Sequence, residues 1–414
     1  MNFVIKHLAL ILLVIAPVIN SNAASPVSKS ILLDQIKANG FTPASKLYQN
    51  PDESLTKTGS KLFASKAVSL NGDISCQTCH LDDFGSGDGI PIAAAIGAQG
   101  EGPKRLLGGA KLLQRNTLPL WGRGAVGFET FFSDGRVEKN GSKIRSQFGS
   151  TPPSNDLFLV AVHLPSIEIR EMLDEDDFIK KYKVESVNKS KVVYKAIADN
   201  ITAKEPEIAD SVAKYVGKTK PNLDYVDYGR ALVAFIRSKF RITETKLERF
   251  VDGREDLSDS ELRGGIVFYG KGGCVSCHNG PHFSDFKFHS VPFPQIGAGK
   301  NGFGIDYGRY NATFNPKDMY KFRTAPLYNV SKTGPYGHSG SVRTLNEAVV
   351  AHYDPLSLVQ VKKMDGVQRY ELARRISYSD SLSAISYLNV ADVEDLVAFL
   401  KTLELDPRVA QAVQ

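Results

Sequence analysis

The first pattern along the chain is an apolar run from Leu8 to Ile19, preceded by a short start containing Lys6 and followed by Asn20-Ser21-Asn22-Ala23. A basic start, about a dozen apolar residues and small residues before a break predict a signal peptide over 1–23, cut after Ala23. The run falls short of the roughly 20 apolar residues needed to cross a bilayer. No later apolar run reaches that length, so the expectation is an exported, periplasmic chain with no membrane span after cleavage.

Further on the periodicity is helical. Between Asn222 and Arg241, the residues Tyr225, Tyr228, Leu232, Phe235, Ile236 and Phe240 recur at helical spacing and predict a long amphipathic helix. Ser258-Asp259-Ser260-Glu261 has the spacing of a capping box, so a second helix starts near Asp259 with Leu262, Ile266 and Tyr269 on one face. Asn389 can cap a third, carrying Val393, Leu396, Val397, Leu400 and Leu403 and ending at Pro407. The polar, Lys-rich stretch from Lys180 to Lys220 reads as solvated helix and linker. Strand signals are few and Gly/Pro-rich loops many, notably 85–109 and 291–317. The prediction is a mostly α, loop-rich fold divided somewhere in 241–257.

Composition narrows the class. The 414 residues are 42% hydrophobic and 23% charged, which excludes disordered and fibrous chains. Fifty-one basic against 45 acidic residues give a net charge of +6 without a concentrated basic stripe, so no nucleic-acid partner is expected. Acidic protein partners stay open.

All four cysteines fall in two clusters, Cys76-Gln77-Thr78-Cys79-His80 and Cys274-Val275-Ser276-Cys277-His278. Gly59-Ser60-Lys61-Leu62-Phe63 precedes the first and Gly264-Gly265-Ile266-Val267-Phe268 the second, so two diverged copies of one small helical unit are the simplest account. Cys-x-x-Cys-His is the attachment signature of c-type haem, with the thiols joined to the macrocycle and the histidine on the iron. A four-thiolate zinc site spaces its pairs about 15–20 residues apart, far less than here, and a dithiol redox pair gives no reason for a histidine to follow twice. Two covalent haem c groups are therefore expected, on Cys76, Cys79 and His80 and on Cys274, Cys277 and His278. Whether such a protein relays electrons or performs chemistry depends on the second axial position at each iron.

Further stretches add to these clusters: Arg115-Asn116-Thr117 with Leu118-Pro119-Leu120, Asp134-Gly135-Arg136, Pro165 followed by Glu171-Met172, Gly280-Pro281-His282-Phe283-Ser284-Asp285, and Phe322-Arg323-Thr324-Ala325-Pro326-Leu327-Tyr328-Asn329-Val330 continuing into Pro335-Tyr336-Gly337-His338-Ser339-Gly340. With them, the chain from about 55 to 404 resembles the bacterial di-haem cytochrome c peroxidase family, which includes the protein-modifying oxidase MauG. The resemblance implies two cytochrome c-like haem domains in one chain, over 24–245 and 246–414, with a peroxidatic haem in the first and an electron-transfer haem in the second. It implies Glu171 as the carboxylate that moves a proton between the oxygens of peroxide; the bland alternative is a surface residue of the acidic stretch 168–177. The distal ligand of the second haem, a Met or Tyr in the family, closes the helix after Gly340-Ser341-Val342-Arg343-Thr344-Leu345. Here that helix ends at His352-Tyr353, and both stay open as iron ligands; either lowers the potential relative to Met. A calcium ion is implied between the domains, with Asn116 as a ligand and Thr313 as a carbonyl donor.

The sequence departs from the family in three places. Ile96-Gly97 is followed by Ala98 rather than a switchable distal histidine, which leaves the first haem open. The tryptophan that precedes Asp-Gly-Arg is Ser133, and the one tryptophan is Trp121. The glutamine before Pro165 is Ala161, with His163 nearby as a substitute polar group. His282, His289 and His338 are expected to bond haem propionates or backbone. The expected function is reduction of hydrogen peroxide with electrons from a small cytochrome or cupredoxin. The alternatives are a MauG-like oxidation of a partner protein and a pure electron carrier.

Overall fold

A computed structural model describes residues 26–107, 109–174 and 189–405; the predicted signal peptide lies outside the described residues. The main helices are α1 (Pro26–Ala38), α2 (Glu53–Ala64), α3 (Leu157–His163), α4 (Lys189–Lys204), α5 (Pro206–Val216), α6 (Tyr225–Lys239), α7 (Asp259–Tyr269), α8 (Leu345–Val350) and α9 (Val390–Lys401). Two small antiparallel sheets accompany them, β1 (Thr130–Phe131) with β2 (Val137–Asn140) and β3 (Lys143–Ser146), and β4 (Phe288–His289) with β5 (Phe322–Arg323). The fold is mostly helical and loop-rich, as the periodicity predicts. No helix among the described residues is long and apolar enough to cross a membrane.

The predicted starts are made by side chains. Ser258 and Glu261 form a reciprocal capping box at α7, Asn389 and Asp392 another at α9, and Asp224 and Asp227 a third at α6. The apolar faces they launch gather into two cores. One holds Leu62, Phe63, Phe131, Leu159, Tyr228, Leu232 and Phe240; the other holds Leu262, Phe268, Phe283, Leu396, Phe399 and Leu403.

One helix crossing occurs in both cores. A Cβ built on Gly59 of α2 would lie 1.9 Å from Ala231 O of α6, and one built on Gly264 of α7 would lie 1.9 Å from Asp395 O of α9. No side chain fits at that distance, so glycine lets each helix that precedes a cysteine cluster cross its partner backbone to backbone. These are the corresponding glycines of the two repeated stretches.

One expectation is corrected. The stretch Lys180–Lys220 is not solvated linker where it is described: α4 and α5 bury Val193, Ile197, Ile201, Ile208 and Val212 in the first core. Lysines on the outer faces mask this i, i+4 stripe. In the second core Leu32, Ile36, Leu47 and Ile242 pack with the elements that follow, and Leu32 meets Gly265 of α7.

Candidate functional site

Each cysteine cluster sits on a tight 3-10 turn, Cys76–Thr78 and Cys274–Ser276, that directs its histidine back over the turn. His80 N–H donates to Cys76 O at 3.1 Å and His278 N–H to Cys274 O at 2.9 Å. The imidazoles are fixed alike. His80 Nδ1 donates to Ser86 O at 2.8 Å and His278 Nδ1 to Phe283 O at 2.9 Å. A carbonyl only accepts, so the proton is on Nδ1 and the Nε2 lone pair is left for a metal, the arrangement that orients a ligating histidine. No disulfide joins the four cysteines, and Cys76 packs against one core and Cys274 against the other, so the two pairs do not meet in a four-thiolate zinc site. The donor sets fit two covalent haems.

Opposite His278 stands His352. The two ring centroids are 6.4 Å apart, and His352 Nδ1 is tied to Ala348 O at 2.8 Å, which leaves its Nε2 free as well. Metal–imidazole bonds of about 2.0–2.1 Å on two opposed rings give a separation of this size. Tyr353, the other candidate, is turned away: its hydroxyl donates to Leu388 O at 3.2 Å and its ring packs edge-on against Tyr387. Consecutive residues at the end of α8 point in different directions, so only one can face the cysteines.

Glu171 lies on a tight turn in which Glu171 N–H donates to Glu168 O and Arg170 takes a left-handed φ of 69°. Its carboxylate is within electrostatic range of Cys76 and Cys79, whose thiols are pushed up to about 12 by burial and, less strongly, by this charge. Burial, with Glu168 beside it, pushes the Glu171 carboxyl up to about 7, against the pull of Arg136 and Lys300. The segment before Ala98 runs alongside, with Ile96 N–H donating to Arg170 O at 3.4 Å.

A buried ion network that sequence reasoning missed adjoins this turn. Arg115 grips Asp306 through Nε and Nη2, at 2.7 and 2.8 Å, and Asp134 through Nη1 at 2.7 Å. Arg136 joins Asp134 to Glu168, and Lys300 lies 3.5 Å from Asp134. Burial acts to raise the Asp134 carboxyl, but Arg136, Arg115 and Lys300 hold it far below the usual range. The Asp-Gly-Arg tripeptide was a visible signal for half of this network; Lys300 and Asp306, in a Gly-rich loop, carried none.

A profile of the family described as di-haem cytochrome c peroxidase matches residues 53–256. The chain belongs to the di-haem cytochrome c peroxidase family. Among relatives of this peroxidase family, the cytochrome-c peroxidase IdrP1 of Pseudomonas sp. (strain SCT) is 29% identical over 225 residues, 48% of this chain and only 54% of that protein. The methylamine utilization protein MauG of Methylorubrum extorquens is 25% identical over 377 residues, 90% of this chain and 81% of MauG. The crystal structure of a MauG-like protein associated with microbial copper homeostasis shares the fold, with a TM-score of 0.61 at 20% identity over 89% of this chain and 93% of that one.

In this di-haem peroxidase family member the remaining predicted residues have plain roles. Asn116 Nδ2 donates to Pro335 O at 2.6 Å, whereas the Thr313 hydroxyl bonds Asp318, and no hydrogen bond joins Asn116 to Thr313 among the described residues. His163 is no active-site substitute: it is packed edge-on between Tyr194 and Tyr225 with Nδ1 tied to Leu159 O. His282 bonds Val126 O, His289 bonds Asp285, and His338 bonds Gln295 and stacks on Phe322. Ser133 takes a hydrogen bond from Arg115. Trp121 packs against both cores, and its indole N–H donates to Gly85 O, one peptide from the carbonyl that fixes His80.

Proposed function

We propose that this protein is a periplasmic peroxidase that reduces hydrogen peroxide at the His80 site, with electrons delivered by a small cytochrome or cupredoxin through the His278 site. The observation that carries this reading is Glu171, a carboxyl with a pKa near neutrality set over the first pair of thiols. Cys76 and Cys79 would hold one haem with His80 as the iron ligand, and Cys274 and Cys277 the other between His278 and His352. Bound there, the first haem would supply an open iron position for peroxide and the electrons that cleave its O–O bond. Glu171 takes a proton from the oxygen that binds and returns it to the oxygen that leaves. The sum is one peroxide, two electrons and two protons to two waters. His352 would close the second site to peroxide.

The same arrangement supports a second reading, oxidation of a partner protein in the manner the name MauG suggests. Two histidines on one iron give a lower potential than histidine with methionine, which favours keeping oxidising equivalents rather than refilling them at once. Calcium is part of the proposal through Asn116, whose amide oxygen and nitrogen are exchangeable in assignment; no step depends on it. Stopped-flow turnover with a reduced cytochrome separates the readings: fast peroxide consumption supports the first, and slow turnover with a persistent oxidised state supports the second.

A further inference from the structure

Among the described residues four buried arginines, Arg105, Arg123, Arg323 and Arg375, form no ion pair, and two of them, Arg123 and Arg323, share one aromatic ring. Arg123 is 7% exposed and Arg323 8%, and among the described residues neither forms an ion pair. Arg123 Nε donates to Pro119 O at 2.7 Å, Arg323 Nη1 donates to Thr130 O at 3.3 Å, and Arg323 Nε has no partner. Both lie against one ring, that of Phe128, at 5.8 and 5.3 Å from its centroid. Arg115, buried to a similar degree, holds two carboxylates.

Burying an unpaired charge costs several kcal/mol, and aromatic faces return only about 0.5–2 kcal/mol each. Here two like charges share the space. Burial draws Arg123 down to about 10, and burial together with repulsion from Arg123 draws Arg323 down to about 9. Two guanidinium groups so placed suit an anionic ligand.

Their position indicates which anion. Arg123 is within electrostatic range of His80. His282, whose ring packs on the same Phe128, precedes Phe283, the residue whose carbonyl fixes His278. The pair of arginines thus lies between the two attachment sites, and each covalent haem brings two propionate carboxylates. We propose that Arg123 and Arg323 form a cradle that binds a haem propionate at the boundary between the two halves. The inference rests on haem attachment at both clusters and goes beyond it. Planar guanidinium groups suit carboxylates through paired N–H donors.

The test uses the full-length holoprotein with two haems per chain verified by mass, so failed attachment is separated from failure of the cradle. Arg123→Met and Arg323→Met are compared with Arg123→Lys and Arg323→Lys by spectroelectrochemistry of each haem across pH; glutamine variants serve where the methionine ones do not load haem. The expected result is a lower potential for at least one haem in the uncharged variants, with its pH-dependent window moved upward by more than about one unit. The lysine variants stay near the parent. The haem that responds, high-spin at His80 or low-spin at His278, names the owner of the propionate. Unchanged potentials, or a fall without movement of the window, overturn the proposal.

Discussion

His278 and His352 face each other with ring centroids 6.4 Å apart, each held by a hydrogen bond from Nδ1 to a backbone carbonyl. Each has Nε2 without a hydrogen bond among the described residues. His352→Ala removes one of the two rings, and the low-spin EPR signal of the second haem is expected to be lost. Tyr353→Phe removes only a bond to Leu388 O and leaves the signal in place.

In the proposed mechanism Glu171 acts first as a base, so it works as the carboxylate. Its pKa is raised to about 7 by burial, so peroxide turnover is expected to rise with pH through about 7 and level off above it. Glu171→Gln lowers turnover by about 10²–10⁴ with haem content unchanged. Lys300→Met removes a cation that favours the carboxylate, and the midpoint of the pH profile moves up; an unmoved midpoint contradicts the role given to Lys300.

The paired glycines predict paired defects. Gly59→Ala and Gly264→Ala each force apart two backbones in contact, at a cost of about 1–3 kcal/mol or more. Denaturant melts report the loss, and haem loading falls first at the cluster that follows the altered helix.

His163 makes stability depend on pH. It is buried, with its pKa lowered from the usual 6.5 to about 4 by burial, so the folded state resists a proton that the unfolded state accepts. Its contribution is present above about 6.5 and is lost as pH falls toward 4, for a total of about 3 kcal/mol. A His163→Phe variant, if it folds, is expected to lose less stability over that window in denaturant melts.

Trp121 touches both cores and bonds the loop that fixes His80. Flash reduction of the second haem followed by optical detection at the first measures the transfer between them. Trp121→Phe is expected to slow it while haem content stays unchanged.

Much of this was legible in the sequence because it depends on local rules. The caps at Ser258 and Asn389 act within one helical turn, and the spacing of Cys76, Cys79 and His80 is a covalent requirement. The burial of α4 was hidden because Lys189, Lys191, Lys195 and Lys204 make its composition polar, while Val193, Ile197 and Ile201 carry the packing. His352 and Tyr353 could not be separated, since a one-residue choice depends on how α8 ends. Lys300, Asp306 and the unpaired Arg123 and Arg323 depend on contacts between distant segments, which no local pattern encodes.

The proposal needs a first haem open to peroxide near Glu171 and a second haem held by both His278 and His352. EPR and optical spectra of the oxidised holoprotein, before and after one equivalent of hydrogen peroxide, decide between this and an electron carrier. One high-spin and one low-spin haem are expected, with the high-spin signal consumed by peroxide. Two low-spin haems inert to peroxide would overturn the proposal and leave an electron carrier.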